Sequence, residues 1–244
     1  MIRHLAFAVV ALASITSSAT VHAQAKRYPL TTTEGLRPHN TVIEPVTFKG
    51  ERAVRVTVAP DVGRRPKYLD GSTDPETHVR IEGLEFSNGT IEADIAGAPA
   101  EGSGAGARGF VGIAFRLQAD LGADSSQTYD AFYLRPTNGR VEDQERRNHS
   151  AQYISHPDWT WSRMRRETPS KYESYVDITP DTWIHVRIDV NGTQARLYVN
   201  GQAQPTLIVN DVKSGATAIG AVALWIGPGT VGHFRNLVVT PRRD

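Results

Sequence analysis

The densest chemistry in the chain lies between Tyr129 and Ile178, where Arg146-Arg147-Asn148-His149 is followed by Tyr153 and His156. A guanidinium set beside an imidazole and a phenol can neutralise a carboxylate and move the proton next to it. Arg147, His149 and Tyr153 are therefore the candidate catalytic groups. Around them stand residues suited to holding a sugar. Sugar rings offer apolar C–H patches to aromatic faces, and their hydroxyls suit planar bidentate groups such as guanidinium and amide. By that chemistry Trp159, Trp161, Tyr153 and Tyr172 are stacking candidates, Arg135, Asn138, Arg147 and Asn148 are readers of hydroxyls or carboxylates, and Arg116, Tyr133, His156 and Tyr175 complete the residues expected to bind an oligo- or polysaccharide. The run Arg163-Met164-Arg165-Arg166 reads either as a solvated face, balanced by Glu167, Lys171 and Glu173, or as an attractor of an anionic glycan.

Metal chemistry is weakly signalled. His149 and His156 with Asp158 are loosely spaced for a transition metal, and neither Asn210-Asp211 nor Asp70 with Asp74 follows a calcium-loop spacing. No cofactor is expected, with structural calcium left open. The glycine-rich segment from Ala96 to Arg108 lacks the Lys-Ser/Thr pair and helix start of a phosphate cradle and reads as a flexible loop.

These groups must be positioned by strands, because helical periodicity is almost absent. Val54–Val58 and Trp183–Val190 alternate with period two, and the latter sets Ile184, Val186, Ile188 and Val190 on one face. Further strands are expected at Gly89–Ile95, Phe110–Leu117, Ala131–Arg135, Tyr175–Ile178, Ala195–Val199, Leu207–Val209, Ala221–Ile226 and Phe234–Val239, with Asn191-Gly192 and Asn200-Gly201 as hairpin turns. In Phe110–Leu117 the alternation sends Gly112, Ala114 and Arg116 to the face opposite the apolar set. Around Tyr133 it sends Tyr129, Ala131, Tyr133 and Arg135 there, and in the third expected strand Glu173, Tyr175 and Asp177. Neighbouring strands of this kind make a cleft floor, roofed by a loop from Gly139 to Tyr175. The architecture expected is all-β: a two-sheet antiparallel β-sandwich, the jelly roll.

The N-terminus has the form of a secretory leader, with Arg3 and His4 before an apolar run from Leu5 to Ala13 and a small-residue cleavage site at Val21-His22-Ala23. Residues 1–23 are expected to be removed on export, leaving one domain over residues 24–244 in the periplasm or outside the cell. No later stretch is apolar enough to be a transmembrane segment. The chain contains 0 cysteines, so disulfides cannot contribute to its stability. With 27 Lys+Arg against 26 Asp+Glu, overall charge makes no case for nucleic acid. Nothing in the sequence bears on oligomeric state.

The succession Thr182-Trp183, Ala195-Arg196-Leu197-Tyr198-Val199-Asn200-Gly201, Gly220 to Gly227 and Phe234-Arg235-Asn236-Leu237 resembles the concanavalin A-like lectin/glucanase superfamily. The likeness is to its laminin-G-like members and to the secreted bacterial domains grouped as 3-keto-disaccharide hydrolases. It implies a jelly roll acting on or binding carbohydrate, since that superfamily contains glycoside hydrolases, polysaccharide lyases, lectins and non-catalytic adhesion modules. Its laminarinase-type hydrolases carry Glu-x-Asp-x-x-Glu on one strand. Here Glu92-Ala93-Asp94-Ile95-Ala96-Gly97 supplies two of the acids and ends on glycine, so that retaining pair is incomplete. Two readings follow: a glycan-cleaving enzyme, hydrolase or lyase, or a glycan-binding module without catalysis.

Overall fold

Alternating apolar side chains build two antiparallel sheets in the computed structural model, which describes residues 24–62, 76–118 and 127–242. The strands in chain order are β1 (Lys26–Tyr28), β2 (Leu36–His39), β3 (Thr41–Phe48), β4 (Glu51–Val58), β5 (His78–Phe86), β6 (Gly89–Pro99), β7 (Val111–Leu117) and β8 (Tyr129–Leu134). They continue with β9 (Ala151–His156), β10 (Glu173–Ser174), β11 (Ile184–Asn191), β12 (Gln194–Val199), β13 (Leu207–Val209), β14 (Gly220–Ile226) and β15 (Thr230–Pro241). An 8-stranded sheet runs β13-β12-β11-β6-β15-β4-β3, with β1 added on β15, and a 7-stranded sheet runs β10-β9-β8-β7-β14-β5-β2. This is the two-sheet antiparallel jelly roll expected from the alternation.

The core lies between the sheets. Ile91, Ile95, Val186 and Ile188 face Ile113, Phe115, Phe132 and Leu224 in one buried cluster. The outer face of the 7-stranded sheet is also buried, through a second cluster in which Ala114, Ala131, Ala221 and Ala223 sit among Tyr129, Tyr133 and Ile154, with Phe110 and Trp225 packed against it.

The segment from Gly139 to Tyr175 departs from the loop expected. It contains helix α1 (Gln144–Asn148), strand β9 and helix α2 (Trp161–Glu167). Each helix is started by a side-chain cap: Asp143 Oδ1 accepts from Arg146 N at 3.1 Å, and Thr160 Oγ1 from Arg163 N at 3.4 Å. Residues Ala151–Ser155 are buried on both faces, so β9 shows no apolar–polar alternation. The return strand expected at Tyr175–Ile178 is absent. Pairing with β9 covers Glu173 and Ser174, and Tyr175 is exposed beyond it.

Candidate functional site

One line of register crosses the whole 7-stranded sheet. Glu173 pairs with Gln152, Gln152 with Tyr133, Tyr133 with Gly112, Gly112 with Trp225, Trp225 with His78, and His78 with His39. Directly paired residues point to the same side, so these side chains form a continuous row on the outer face. Gly112 is the gap that lets its neighbours meet. A Cβ there would lie 2.6 Å from Tyr133 Cβ and 2.2 Å from Phe132 O. Over that gap the Tyr133 and Trp225 rings stack with centroids 4.7 Å apart, and Phe110 meets Tyr133 edge-on at 6.1 Å. Trp225 Nε1 donates to Tyr129 OH at 3.2 Å across the intervening β7, above alanines small enough to let them approach.

At one end of the row the groups are planar and charged. Arg135 follows β8 at the start of a short 3-10 helix, Pro136–Asn138, and its guanidinium folds back over Tyr133, 4.9 Å from the ring centroid. It donates to Tyr133 OH at 2.8 Å, Gln152 Oε1 at 3.0 Å, His149 O at 2.8 Å and Glu173 Oε1 at 3.4 Å. Arg165, from α2, also donates to both carboxylate oxygens of Glu173, from Nη2 to Oε1 and from Nε to Oε2 at 3.1 Å. His149 Nδ1 lies 3.0 Å from Glu173 Oε2, but neither imidazole nitrogen has a hydrogen-bond partner, so the contact is close without being aligned. Burial lowers the His149 pKa, the charges of Arg165 and Arg135 lower it further, and Glu173 opposes them. The imidazole is thus held neutral near pH 7.

At the other end stand His39, His78, His156 and Glu76. His78 stacks on His39 with centroids 4.9 Å apart, and His156 on Tyr129 at 5.0 Å. His78 Nε2 meets Gln127 Oε1 at 2.5 Å, and Glu76 approaches His156 at 3.7 Å and His39 at 3.9 Å. Cavities flank this end. One of about 480 Å³ is lined by Arg37, His39, His78 and Arg80, and another of about 540 Å³ by Tyr129, His156, Trp159 and Lys213.

The residues expected from sequence are thus divided. Tyr133, Arg135, Asn138 and His149 come together at the charged end, with Asn138 Nδ2 3.5 Å from His149 O. His156 belongs to the opposite end. Trp159 lines the larger cavity, with Arg163 and Lys213 over its ring at 4.0 and 4.3 Å. Arg147 and Tyr175 pair on the rim, Arg147 NH2 to Tyr175 OH at 2.9 Å, and Asn148 is exposed, accepting from Gln144 Nε2 at 2.8 Å.

Two placements differ from expectation. Tyr153 is wholly buried on the inner face of β9, its OH donating to Asp130 Oδ1 at 2.6 Å and accepting from Lys213 N at 2.8 Å. Burial first, then the Asp130 charge, raises its pKa far beyond the range of proton transfer at neutral pH. Arg147, His149 and Tyr153 consequently do not converge. Arg116 leaves the cleft face because β7 bulges: Ala114 to Leu117 spans the ladder that Ala223 to Ala221 spans on β14, and Arg116 takes the left-handed φ of 55°. Leu117 joins the outer cluster, while Arg116 turns to main-chain carbonyls at one end of the sandwich, where it borders the cavity also lined by His156 and Trp159.

Trp225, Gln152, Glu173, His78, His39 and Glu76 were not singled out as site residues from sequence. For Trp225 a signal existed, since Ala221, Ala223 and Trp225 share one parity in an apolar strand. For His39, in a strand that the sequence did not reveal, there was none.

Asp211 accepts from Tyr172 OH at 2.7 Å, Lys171 Nζ at 2.8 Å and Lys213 Nζ at 2.9 Å, which supplies its carboxylate with cations already. Asp70 and Asp74 lie outside the described residues. Among the described residues, no group of three or more His, Cys, Asp or Glu is arranged to hold a metal ion.

No protein-family model matches the chain, and no curated protein matches it. Solved structures do. A Bacillus subtilis protein of unknown function with a galectin-like fold aligns at 12% identity and TM-score 0.53, over 91% of this chain and 99% of that one. A native glycosidic hydrolase aligns at 10% identity and TM-score 0.50, over 92% and 99%. The exoplasmic/lumenal domain of VIP36, in its Ca2+/Man3GlcNAc-bound form, aligns at 8% identity and TM-score 0.50, over 91% of each chain. At such identities the likeness is one of fold, and the fold of this chain is the concanavalin A-like, galectin-like jelly roll.

Proposed function

We propose that this protein is a glycan-binding domain whose ligand lies along the aromatic row on the outer face of the 7-stranded sheet. The observation that carries the reading is the register line itself. It sets the half-buried Trp225, backed by Tyr133, in line with Gln152 and Glu173, and Phe110 and Arg135 pack against Tyr133 from beside it. Aromatic faces meet the C–H patches of a sugar, and fixed amide, carboxylate and guanidinium groups meet its hydroxyls. The Man3GlcNAc bound by VIP36 and the hydrolase among the fold's neighbours agree with a carbohydrate ligand. We also assign residues 1–23 as an export leader, placing the domain in the periplasm or outside the cell.

Among the described residues, binding without hydrolysis fits the state of the acid at the charged end of the row: Glu173 is held by the guanidiniums of Arg135 and Arg165 and is not free to act as a nucleophile or proton donor.

A panel of neutral and acidic oligosaccharides, scored by calorimetry for binding and by chromatography for products, tests the reading. At least one member should bind without turnover. Trp225→Ala should weaken that binding about tenfold, the loss of one aromatic platform of roughly 1–1.5 kcal/mol. Product formation would move the protein to the enzyme class, and indifference of every ligand to Trp225→Ala would remove the row as the site.

A further inference from the structure

The charged end of the row carries more cation than its acid can neutralise. Glu173 is taken by Arg135 and Arg165. Two more arginines converge on the short 3-10 helix that follows Arg135. Arg146, half-buried at α1, points NH2 at Asn138 Oδ1 at 3.5 Å, while its Nε is buried without a hydrogen-bond partner. Arg108, also half-buried, is anchored on the same turn, its carbonyl accepting from Thr137 N and Thr137 Oγ1, each at 3.4 Å. Its guanidinium donates to the carbonyls of Ala105 and Ala107, both in its own loop. Neither Arg108 nor Arg146 has a carboxylate partner among the described residues. The mutual closeness of these charges is felt at Arg108, where burial and then the fields of Arg146 and Arg135 disfavour the protonated guanidinium.

Clustered guanidiniums that stay in water repel weakly and need no partner. Here they are partly desolvated and without a carboxylate partner among the described residues, and the Arg135 guanidinium beside them lies 5.9 Å from the ring of Phe110, two residues on from Arg108. That arrangement complements an oxyanion carried on a ring that lies over the aromatic row, because a planar guanidinium meets a carboxylate or sulfate through paired N–H donors.

We propose that Arg108 and Arg146, with Arg135 behind them, form an anion subsite, and that the ligand class is an acidic glycan bearing a carboxylate or sulfate on the sugar nearest Phe110. The inference rests on the glycan-binding reading and narrows it.

The test compares oligouronates with the same chains after carboxyl reduction, and sulfated oligosaccharides with their desulfated counterparts, by calorimetry at low and high salt. At least one acidic member should bind about tenfold or more tighter than its neutral twin at low ionic strength, the preference shrinking as salt rises. Which pair shows the preference distinguishes carboxylate from sulfate. Arg108→Gln and Arg146→Gln should each cost that acidic ligand about tenfold, with thermal melts unchanged. Arg166→Gln, which removes the same charge from a side chain 70% exposed on α2, should cost nothing. Equal binding of charged and neutral twins, indifferent to Arg108 and Arg146, would overturn the anion subsite and leave the glycan reading standing. Failure of every acidic and neutral chain to bind would overturn both.

Discussion

Replacing Arg116 by Met is expected to cost stability and leave the proposed ligand row intact. Arg116 donates to Ser87 O at 3.0 Å, Asn88 Oδ1 at 3.3 Å, Gly192 O at 2.9 Å, Ser214 Oγ at 3.1 Å and Gly215 O at 2.7 Å. It thereby fastens the β5–β6 turn, the β11–β12 turn and the approach to β14 to one another. Asn88 Oδ1 extends the same tie by accepting from Gly192 N at 2.8 Å. Methionine would fill much of the volume but leave several carbonyls without donors, and Asp130, whose field acts on Arg116, without its nearby cation. Removing one member of a buried charged network costs about 3–5 kcal/mol. For a domain of this size each kcal/mol moves the melting temperature by roughly 2–4 °C, so a fall of about 6–20 °C is expected. Urea titration followed by circular dichroism measures the free-energy loss directly. Arg116→Lys, which keeps the charge but has three donors on a tetrahedral head, should recover only part. A loss below about 1 kcal/mol would refute the structural role. An unchanged melt together with weakened glycan binding would return Arg116 to the ligand surface.

Two further predictions separate the interior from the site. Tyr153→Phe removes the hydroxyl between Asp130 and Lys213 N and should destabilise by about 1–3 kcal/mol, the cost of an unsatisfied buried group, with glycan affinity unchanged by calorimetry. A drop in affinity or turnover at constant stability would restore Tyr153 as a functional group. His233 makes a pH prediction: it stacks on Phe48 at 3.9 Å, and burial first, then the charge of Arg55, pulls its imidazole down to about 4. The unfolded chain takes up that proton near pH 6.5 and the folded chain only near pH 4. Its contribution is therefore fully present above pH 6.5 and is lost as pH falls through that window, by roughly 3 kcal/mol at the bottom. Unfolding titrations of His233→Gln over that range should show a flatter pH dependence than the wild type, and equal slopes would contradict the assignment.

The sandwich was legible because its central strands obey one rule. Ile184, Val186, Ile188 and Val190 alternate in sequence and face the core in the structure, and Tyr133 takes the side that the parity of its strand dictates. Where parity breaks locally, reading failed. Arg116 follows five residues in correct alternation and is then diverted by a bulge whose cause lies in the register against β14, which no single strand displays. Tyr153 sits in a strand buried on both faces, so its neighbours Gln152 and Ile154 gave no sign of which side was inward. Of the row from Glu173 to His39, parity placed Gly112, Tyr133 and Glu173 on the cleft side, but its continuity was hidden: it is assembled by pairing across seven strands, and registers between segments far apart in sequence are set by packing.

The acidic pair on β6 shows how the two outer faces differ. Asp94 accepts from His185 Nδ1 at 3.0 Å, Arg235 Nε at 3.1 Å and Asn236 Nδ2 at 2.9 Å, on the outer face of the 8-stranded sheet. Burial pushes its carboxyl up, but the hydrogen bonds from His185 and Asn236 and the Arg235 charge outweigh that and hold it below its ordinary value. A carboxylate supplied with three donors, with Glu92 beside the same histidine at 3.8 Å, is a tie between β6, β11 and β15. Opposite charges there are matched. On the other sheet Arg108 and Arg146 have no carboxylate partner among the described residues, and under the proposed reading it is this difference in local charge, invisible in a chain whose overall balance is even, that would direct an anionic ligand to the 7-stranded sheet.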